Sequence, residues 1–231
     1  MPEAIIELSS LVKTYDTGEV QVQALRGVDL SVERGEMVAI MGPSGCGKTT
    51  LLNTASGLDD PTEGSITIEG TDLVSLDDNT KTSYRATRMG FIFQFYNLLP
   101  VLSSVENVEL PLLVSGTPPA EARQRALAQL DHVGLSEWTE HRPGQLSGGQ
   151  RQRVTIARAL VNDPTIVWAD EPTGDLDSVT AGQIMDLLTG LNREQDQTFV
   201  IVTHGREIAD RCHRIVHMRD GLIEREEQLV G

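Results

Sequence analysis

The residues with the clearest chemistry form one stretch, Gly42-Pro43-Ser44-Gly45-Cys46-Gly47-Lys48-Thr49-Thr50. The spacing G-x-x-x-x-G-K-[ST] is typical of a loop that holds phosphates. Its glycines let the backbone turn N–H groups toward an anion, and the following helix N-terminus stabilises negative charge. Lys48 adds a positive charge, and the hydroxyl of Thr49 can join the ligand shell of Mg²⁺. The stretch predicts a phosphate site made by Gly42, Ser44, Gly45, Cys46, Gly47, Lys48, Thr49 and Thr50.

Three further apolar runs end in polar side chains: Gln94, the pair Asp170-Glu171, and His204. Open α/β sheets bind ligands at the carboxyl ends of their strands, so these side chains are candidates for the same site. Asp170 could orient a Mg²⁺ shell, and Glu171 could polarise a water as a general base, which contributes about 10²–10⁴ in rate. A lone histidine after a strand is more often structural, but its place in this series favours a site role for His204.

A second anion-binding end is predicted at Leu146-Ser147-Gly148-Gly149-Gln150. Ser147 with Gln150 three residues later is the capping-box pattern, so a helix is expected to begin here. Gly148 and Gly149 would leave its N-terminus open to a close ligand. Taken alone, a match of five residues is equally compatible with an ordinary glycine-rich cap.

The elements that must position these residues follow from apolar patterning. A buried strand at 37–41 runs into the phosphate loop, and β alternation over 4–12, 22–41 and 64–70 indicates an antiparallel layer on the nucleotide-binding core. Tyr15 precedes a turn at Asp16-Thr17-Gly18. Helices are expected near 77–88, 104–113 (interrupted by Pro111), 119–133 and 178–192, and Asp220-Gly221 predicts a type I′ hairpin followed by a mobile tail after Glu224.

The segment Phe95-Tyr96-Asn97-Leu98-Leu99-Pro100 places aromatic and aliphatic residues where a loop is expected. Such a loop either packs beneath a neighbouring element or docks a partner. The sequence alone leaves both possibilities open.

Composition limits the classes of function. The chain has 231 residues and a net charge of -15, so a nucleic-acid partner is disfavoured because phosphate backbones require a basic surface. Two cysteines suit a reducing cytoplasm. The start of the sequence lacks a signal-peptide pattern, and no apolar run approaches the ~18 residues of a membrane span, so any membrane association is expected to depend on another chain.

Taken together, Tyr15, the loop from Gly42 to Thr50, Gln94, Leu146 to Gln150, Ile166 to Glu171, Asp177 and His204 resemble the ATP-binding subunit of ABC transporters. The resemblance spans nearly the whole chain in order. It implies an α/β fold with a P-loop NTPase (RecA-like) core, an antiparallel β subdomain and an inserted α-helical signature subdomain. The core and β layer would cover about 1–94 and 161–231, and the helical subdomain about 95–160.

The resemblance also implies a role for each residue. Tyr15 would stack on adenine, Thr49, Gln94 and Asp170 would hold Mg²⁺, and Glu171 would act as the general base. His204 would steady the γ-phosphate of ATP, with Lys48 and Gln94 also serving catalysis. Ser147, Gly148, Gly149 and Gln150 would act on the nucleotide of a second copy in an ATP-dependent head-to-tail homodimer, with Asp177 completing the site.

A finer match is to the MacB/LolD-type branch, carried by the segments 91–100, 106–112 and 170–177. The branch implies a peripheral position on the cytoplasmic face of the membrane and an integral permease partner of MacB/FtsX type. Trp168 departs from the aliphatic residue usual there. Two alternatives remain: an FtsE-like ATPase that regulates cell-wall enzymes through a membrane partner, and a soluble ABC ATPase in cytosolic assembly or on nucleic acid, which the acidity disfavours.

Overall fold

The computed structural model of the chain describes residues 4–16, 18 and 20–229. Within them the strands are β1 (Ala4–Asp16), β2 (Gln21–Glu33), β3 (Met37–Met41), β4 (Glu63–Ile68), β5 (Thr71–Asp72), β6 (Met89–Ile92), β7 (Ile166–Asp170), β8 (Thr198–Val202), β9 (Arg214–Arg219) and β10 (Leu222–Gln228). The helices are α1 (Lys48–Ala55), α2 (Asp78–Arg88), α3 (Ser104–Val114), α4 (Pro119–His132), α5 (Gly148–Leu160), α6 (Ser178–Gln195) and α7 (Arg206–Ala209).

These residues divide into two compact units. The first runs up to Lys81 and resumes at Asn192, and the second extends from Thr82 to Leu191. The helical subdomain expected at about 95–160 lies inside the second unit. Its limits, like those of the core and β layer, stay a prediction.

The antiparallel layer of the first unit has the strand order β2-β1-β4-β5. Ile6 pairs with Val32 and Leu8 with Leu30, which places buried side chains opposite one another on one face. The alternation that predicted this layer is the pattern of a sheet covered on one side only. The β pattern read over 22–41 is divided by a turn in which Gly35 has a φ of 71°, so it forms the two strands β2 and β3.

The first unit also holds strands β10, β9, β3 and β8, in that order. β3 is parallel to both neighbours, with Ile40 opposite Val202 of β8 and Val216 of β9. Residues 37–40 and all of β8 are buried, as their unbroken apolar sequence predicts for a parallel strand. The carboxyl ends of β3 and β8 therefore open at one edge of the sheet.

In the second unit β6 is parallel to β7, and helices α3, α4 and α5 pack against one another. β6 and α5 approach closely, because a Cβ at Gly90 would lie 2.4 Å from the carbonyl oxygen of Ala159. Only glycine fits at that position. The contact fixes the helix that follows Ser147 against the strand that precedes Gln94.

Two expectations about local structure are wrong. Pro111 does not interrupt the helix predicted at 104–113: α3 continues through it to Val114, at the cost of one backbone hydrogen bond near its end. The tail after Glu224 does not leave the sheet, because β10 pairs with β9 as far as Gln228. Arg206 and His217 bind Glu227, and the hydrogen bonds from Arg206 lower the pKa of Glu227 to about 2.

The hairpin between β9 and β10 is of the expected kind. Asp220 and Gly221 have φ of 47° and 78°, the left-handed values of a type I′ turn. Among the described residues, no helix is both long and apolar enough to cross a membrane.

Candidate functional site

The phosphate loop joins β3 to α1 in the first unit. Gly45 and Gly47 have φ of 78° and 105°, conformations that favour glycine. At Gly47 a Cβ would also lie 2.5 Å from the carbonyl oxygen of Ala24, and at Gly42 it would lie 2.3 Å from that of Met218. The glycines are thus required both by the turn and by the backbone packed behind it.

The loop ends in an open helix N-terminus. Within the described residues, no side chain caps α1 through a hydrogen bond, and an uncapped helix N-terminus is suited to an anion. Lys48 is buried, and its ammonium donates to the carbonyl oxygens of Gly42 (2.9 Å) and Pro43 (3.0 Å). Those bonds hold the charge over the loop, while Thr49 is exposed in the first turn of the helix.

Tyr15 and His204 belong to the same unit. Tyr15 is the penultimate residue of β1, opposite Val22 of β2, and its phenol donates to Asp59 at 2.9 Å. Burial, followed by the hydrogen bond to Asp59, raises the pKa of Tyr15. Val22 and Gly45 line one open cavity of about 430 Å³. His204 follows β8 at the sheet edge from which the phosphate loop also emerges.

In the second unit the structure brings Gln94 and Glu171 together. Ile92 of β6 lies opposite Ala169 of β7, so the chain leaves both strands at the same edge. A Cβ at Gly174 would lie 3.2 Å from Nε2 of Gln94 and 3.4 Å from Cβ of Glu171. Glu171 itself has a φ of 47°, a strained backbone state of a kind that is frequent at functional sites.

The predicted capping box at the start of α5 is present. Ser147 accepts from the backbone N–H of Gln150 at 3.2 Å, and the side chain of Gln150 accepts from the N–H of Ser147 at 2.8 Å. Ser147 is exposed. A Cβ at Gly149 would lie 2.6 Å from Cγ2 of Thr180, so this glycine lets the helix end approach the start of α6.

Asp177, the last of the predicted residues, caps α6. Its carboxylate accepts from the N–H groups of Val179 and Thr180 and from the hydroxyl of Thr180, at 2.6 to 3.0 Å. The hydroxyl contact is the main reason why the pKa of Asp177 is lowered. The carboxylate thereby fixes the segment that touches Gly149.

The sequence did not predict the role of Arg158. Its guanidinium, in the last turn of α5, donates to the carbonyl oxygens of Tyr96 (2.8 Å) and Asn97 (2.6 Å). Both of those residues have left-handed backbones, with φ of 60° and 48°. Arg151, on the same helix face, lies 4.9 Å from the ring centre of Tyr96. Helix α5, which begins after Ser147 and which we call the signature helix, therefore holds the loop after Gln94 in place.

Comparison with known proteins agrees with this geometry. The family model described as ABC transporter matches residues 25–174. The ATP-binding protein LolD of a lipoprotein-releasing system, from Alcanivorax borkumensis, is 46% identical over 96% of this chain and 97% of its own. The macrolide export ATP-binding/permease protein MacB of Syntrophobacter fumaroxidans is 47% identical over 98% of this chain, which spans 32% of MacB.

A solved structure is similarly close. The ATP-binding cassette MJ0796 of Methanocaldococcus jannaschii, described as a dimer in a post-hydrolysis state bound to ADP and Pi, superposes with a TM-score of 0.90. It is 47% identical in sequence, and the match covers 98% of this chain and 99% of MJ0796.

The phosphate loop, the signature helix and the mixed α/β fold are those of an ATP-binding cassette. The chain belongs to the ABC transporter family, as an ATP-hydrolysing subunit of the MacB/LolD-like branch. The predicted family, fold class and enzyme class are confirmed. The comparisons do not favour the FtsE-like alternative.

Proposed function

We propose that two copies of this chain associate head to tail around ATP, and that opening and closing of the pair drives an integral membrane permease of MacB/FtsX type. One observation carries the proposal: the chain presents two glycine-bearing helix N-termini, at α1 and α5, about a hundred residues apart. Each is suited to an anion. Two copies would allow both ends to serve one triphosphate, so ATP would join the copies and hydrolysis would release them.

We assign the chemistry of each site as follows. Lys48 and the loop N–H groups bind the phosphates of ATP. Glu171 accepts a proton from the attacking water, Gln94 orients that water, and His204 steadies the γ-phosphate. On the partner copy, Ser147, Gly148 and Gly149 contact the same γ-phosphate, and Asp177 holds the segment beside them. Most of the acceleration in phosphoryl transfer comes from such positioning and charge stabilisation.

The residues also suit Mg²⁺. Thr49, Gln94 and Asp170 offer hydroxyl, amide and carboxylate oxygens, the hard ligands that Mg²⁺ prefers alongside substrate phosphates. Thr49 is exposed at the first turn of α1, and Asp170 ends β7 half-buried. When bound, the ion would neutralise charge on the β- and γ-phosphates.

The surface that meets the permease is assigned to the second unit. Phe95 and Val101 each expose 71% of their surface, and Leu99 exposes 44%. The same unit has a largely apolar cavity of about 350 Å³, lined by Met89, Phe91, Phe93, Pro111 and others. Asn97 of the loop after Gln94 also lines this cavity. Exposed apolar groups are typical of a docking site, which favours a partner role for the loop. The chain would then sit peripherally on the cytoplasmic face of the membrane.

The experiment is a mass measurement by light scattering on the Glu171→Gln variant. This variant is expected to bind ATP without turnover and to change from 25.2 kDa to twice that mass when ATP is added. Adding Ser147→Ala should abolish the change. Ser103→Ala is the matched control, because Ser103 also completes a capping box with Glu106. Each serine change costs about 1 kcal/mol of helix stability, but only Ser147 should affect association. Equal effects of the two changes would contradict the shared site.

A further inference from the structure

A lysine lies against the ring of Tyr15. Lys13 and Tyr15 are two residues apart on β1, so their side chains point to the same face of the sheet. The Lys13 ammonium lies 5.0 Å from the centre of the Tyr15 ring, within the range of a cation–π contact. Its side chain is only 12% exposed, which shows that this charge is not simply solvated.

The hydroxyl end of the ring is also fixed. The phenol donates to one oxygen of Asp59 at 2.9 Å, and the other oxygen of Asp59 accepts from Lys13 at 2.6 Å. Lys13 donates further to the carbonyl oxygen of Asp60 at 2.6 Å. The hydroxyl of Thr50, in the first turn of α1, donates a hydrogen bond to the phenol oxygen. The ring is therefore tied to the helix that carries the phosphate loop.

Lysine is rare in this chain. Only Lys13, Lys48 and Lys81 occur among the nineteen basic residues, and all three side chains are largely buried. Lys48 serves the phosphate loop, and Lys81 is paired with Asp60 at 2.5 Å. A compact ammonium at position 13 can reach Asp59, the Asp60 carbonyl and the ring together, which the planar fork of arginine would not match.

One part of the ring remains open. Tyr15 keeps 38% of its surface exposed although its hydroxyl is bound and Lys13 contacts the ring. Val22, directly opposite on β2, is 52% exposed. The two residues are cross-strand neighbours near the end of β1, and both leave apolar surface exposed to a ligand.

We propose that Lys13 and Asp59 are positioning residues: they orient Tyr15 so that its open surface receives the adenine of ATP, and so set the base-dependent share of ATP affinity. This inference rests on the proposed function, in which Tyr15 stacks on adenine. In this proposal, Lys13 does not contact the phosphates of ATP.

The test measures ATPase kinetics and the binding of inorganic tripolyphosphate as a probe without a base. Lys13→Met and Asp59→Ala are expected to raise KM for ATP about 3- to 10-fold, the range of a cation–π and stacking contact, with kcat unchanged. Tripolyphosphate affinity should not change. Lys13→Arg, which keeps the cation, should recover part of the loss. Lys81→Met removes a lysine of similar burial, which is paired with Asp60 beside Asp59, and should leave KM unchanged.

Tyr15→Ala separates the stacking role of Tyr15 from the positioning role of Lys13. If it leaves KM for ATP unchanged, the stacking role of Tyr15 is wrong. If it raises KM while Lys13→Met does not, only the positioning role is overturned. A fall in tripolyphosphate affinity in Lys13→Met would show that Lys13 acts on the phosphates, and a rise in KM in Lys81→Met equal to that in Lys13→Met would show a general structural effect; either result overturns the proposal.

Discussion

Phe95 is the single residue whose exposure most needs an explanation. An aromatic side chain with 71% of its surface exposed gains little from folding, and it lies directly after Gln94, which we assign to the hydrolytic site. Aromatic residues of this kind frequently act as anchors at interfaces. A partner bound to Phe95 would therefore contact the residue that directly follows Gln94, and so lie next to the proposed hydrolytic site.

We predict that Phe95→Ser weakens binding to the permease about tenfold or more, as expected for an aromatic hot spot. The basal ATPase rate and the ATP-dependent dimer should not change, because Phe95 is not assigned to either. The measurement is retention of a detergent-solubilised permease of MacB/FtsX type on the immobilised chain. Val114→Ser is the control, since Val114 is 73% exposed at the end of α3. Equal loss in both variants would argue for non-specific adhesion.

At the scale of elements, the signature helix α5 has two tasks. Its N-terminus carries the Ser147 capping box, and Arg158 near its other end holds the left-handed backbone of Tyr96 and Asn97. Burial lowers the pKa of Arg158, yet its two backbone acceptors compensate for the lost hydration. Movement of the loop after Gln94 would therefore be transmitted along α5 to its N-terminus at Ser147.

We predict that Arg158→Met releases this loop. Backbone states with positive φ cost free energy in residues other than glycine, so they persist only when other contacts hold them. Amide hydrogen exchange at residues 95–99 should become about tenfold faster or more, a change of the size expected when hydrogen bonds to a charged group are lost. Arg125→Met is the matched control, because Arg125 also bonds a backbone carbonyl, that of Val161, and Asp163. Unchanged exchange in Arg158→Met would contradict the coupling.

Elements with strong local signals were predictable from sequence. The phosphate loop, the capping box at Ser147, the apolar parallel strands and the type I′ hairpin each depend on residues that are close together in the chain. Other features depend on contacts between distant residues: Arg158 with Asn97 is separated by 61 positions, and Arg206 with Glu227 by 21. The continuation of β10, like the contact of Lys13 with Asp59 46 positions away, could be recognised only in the folded chain.

The environment of Trp168 is a further feature that could not be predicted from the sequence. The sequence marked it as a departure from the branch, where an aliphatic residue is usual. The structure buries it in β7 with 2% exposure, and its indole N–H has no hydrogen-bond partner among the described residues. An apolar strand pattern gives no information about whether a buried donor will find an acceptor.

At the scale of the whole molecule, the functional unit that we propose is a pair of copies rather than a single chain. Homo-oligomers with two-fold symmetry use the same surfaces twice, so two identical sites would each take the phosphate loop from one copy and Ser147 from the other. The similarity to the dimeric ADP- and Pi-bound cassette MJ0796 supports this arrangement. One copy carries both a phosphate loop and Ser147, but in the pair these would belong to different sites. A single copy would therefore complete neither site.

The most direct test of this claim is the ATPase rate of a mixture of two inactive variants, Lys48→Ala and Ser147→Ala. In a mixed pair, one site would join an intact phosphate loop to an intact Ser147, whereas the other site would lose both. With random pairing, equal amounts should recover about a quarter of the wild-type rate, since half the pairs are mixed and each has one good site. A rate no higher than the mean of the two separate variants would show that a single copy holds its ATP alone.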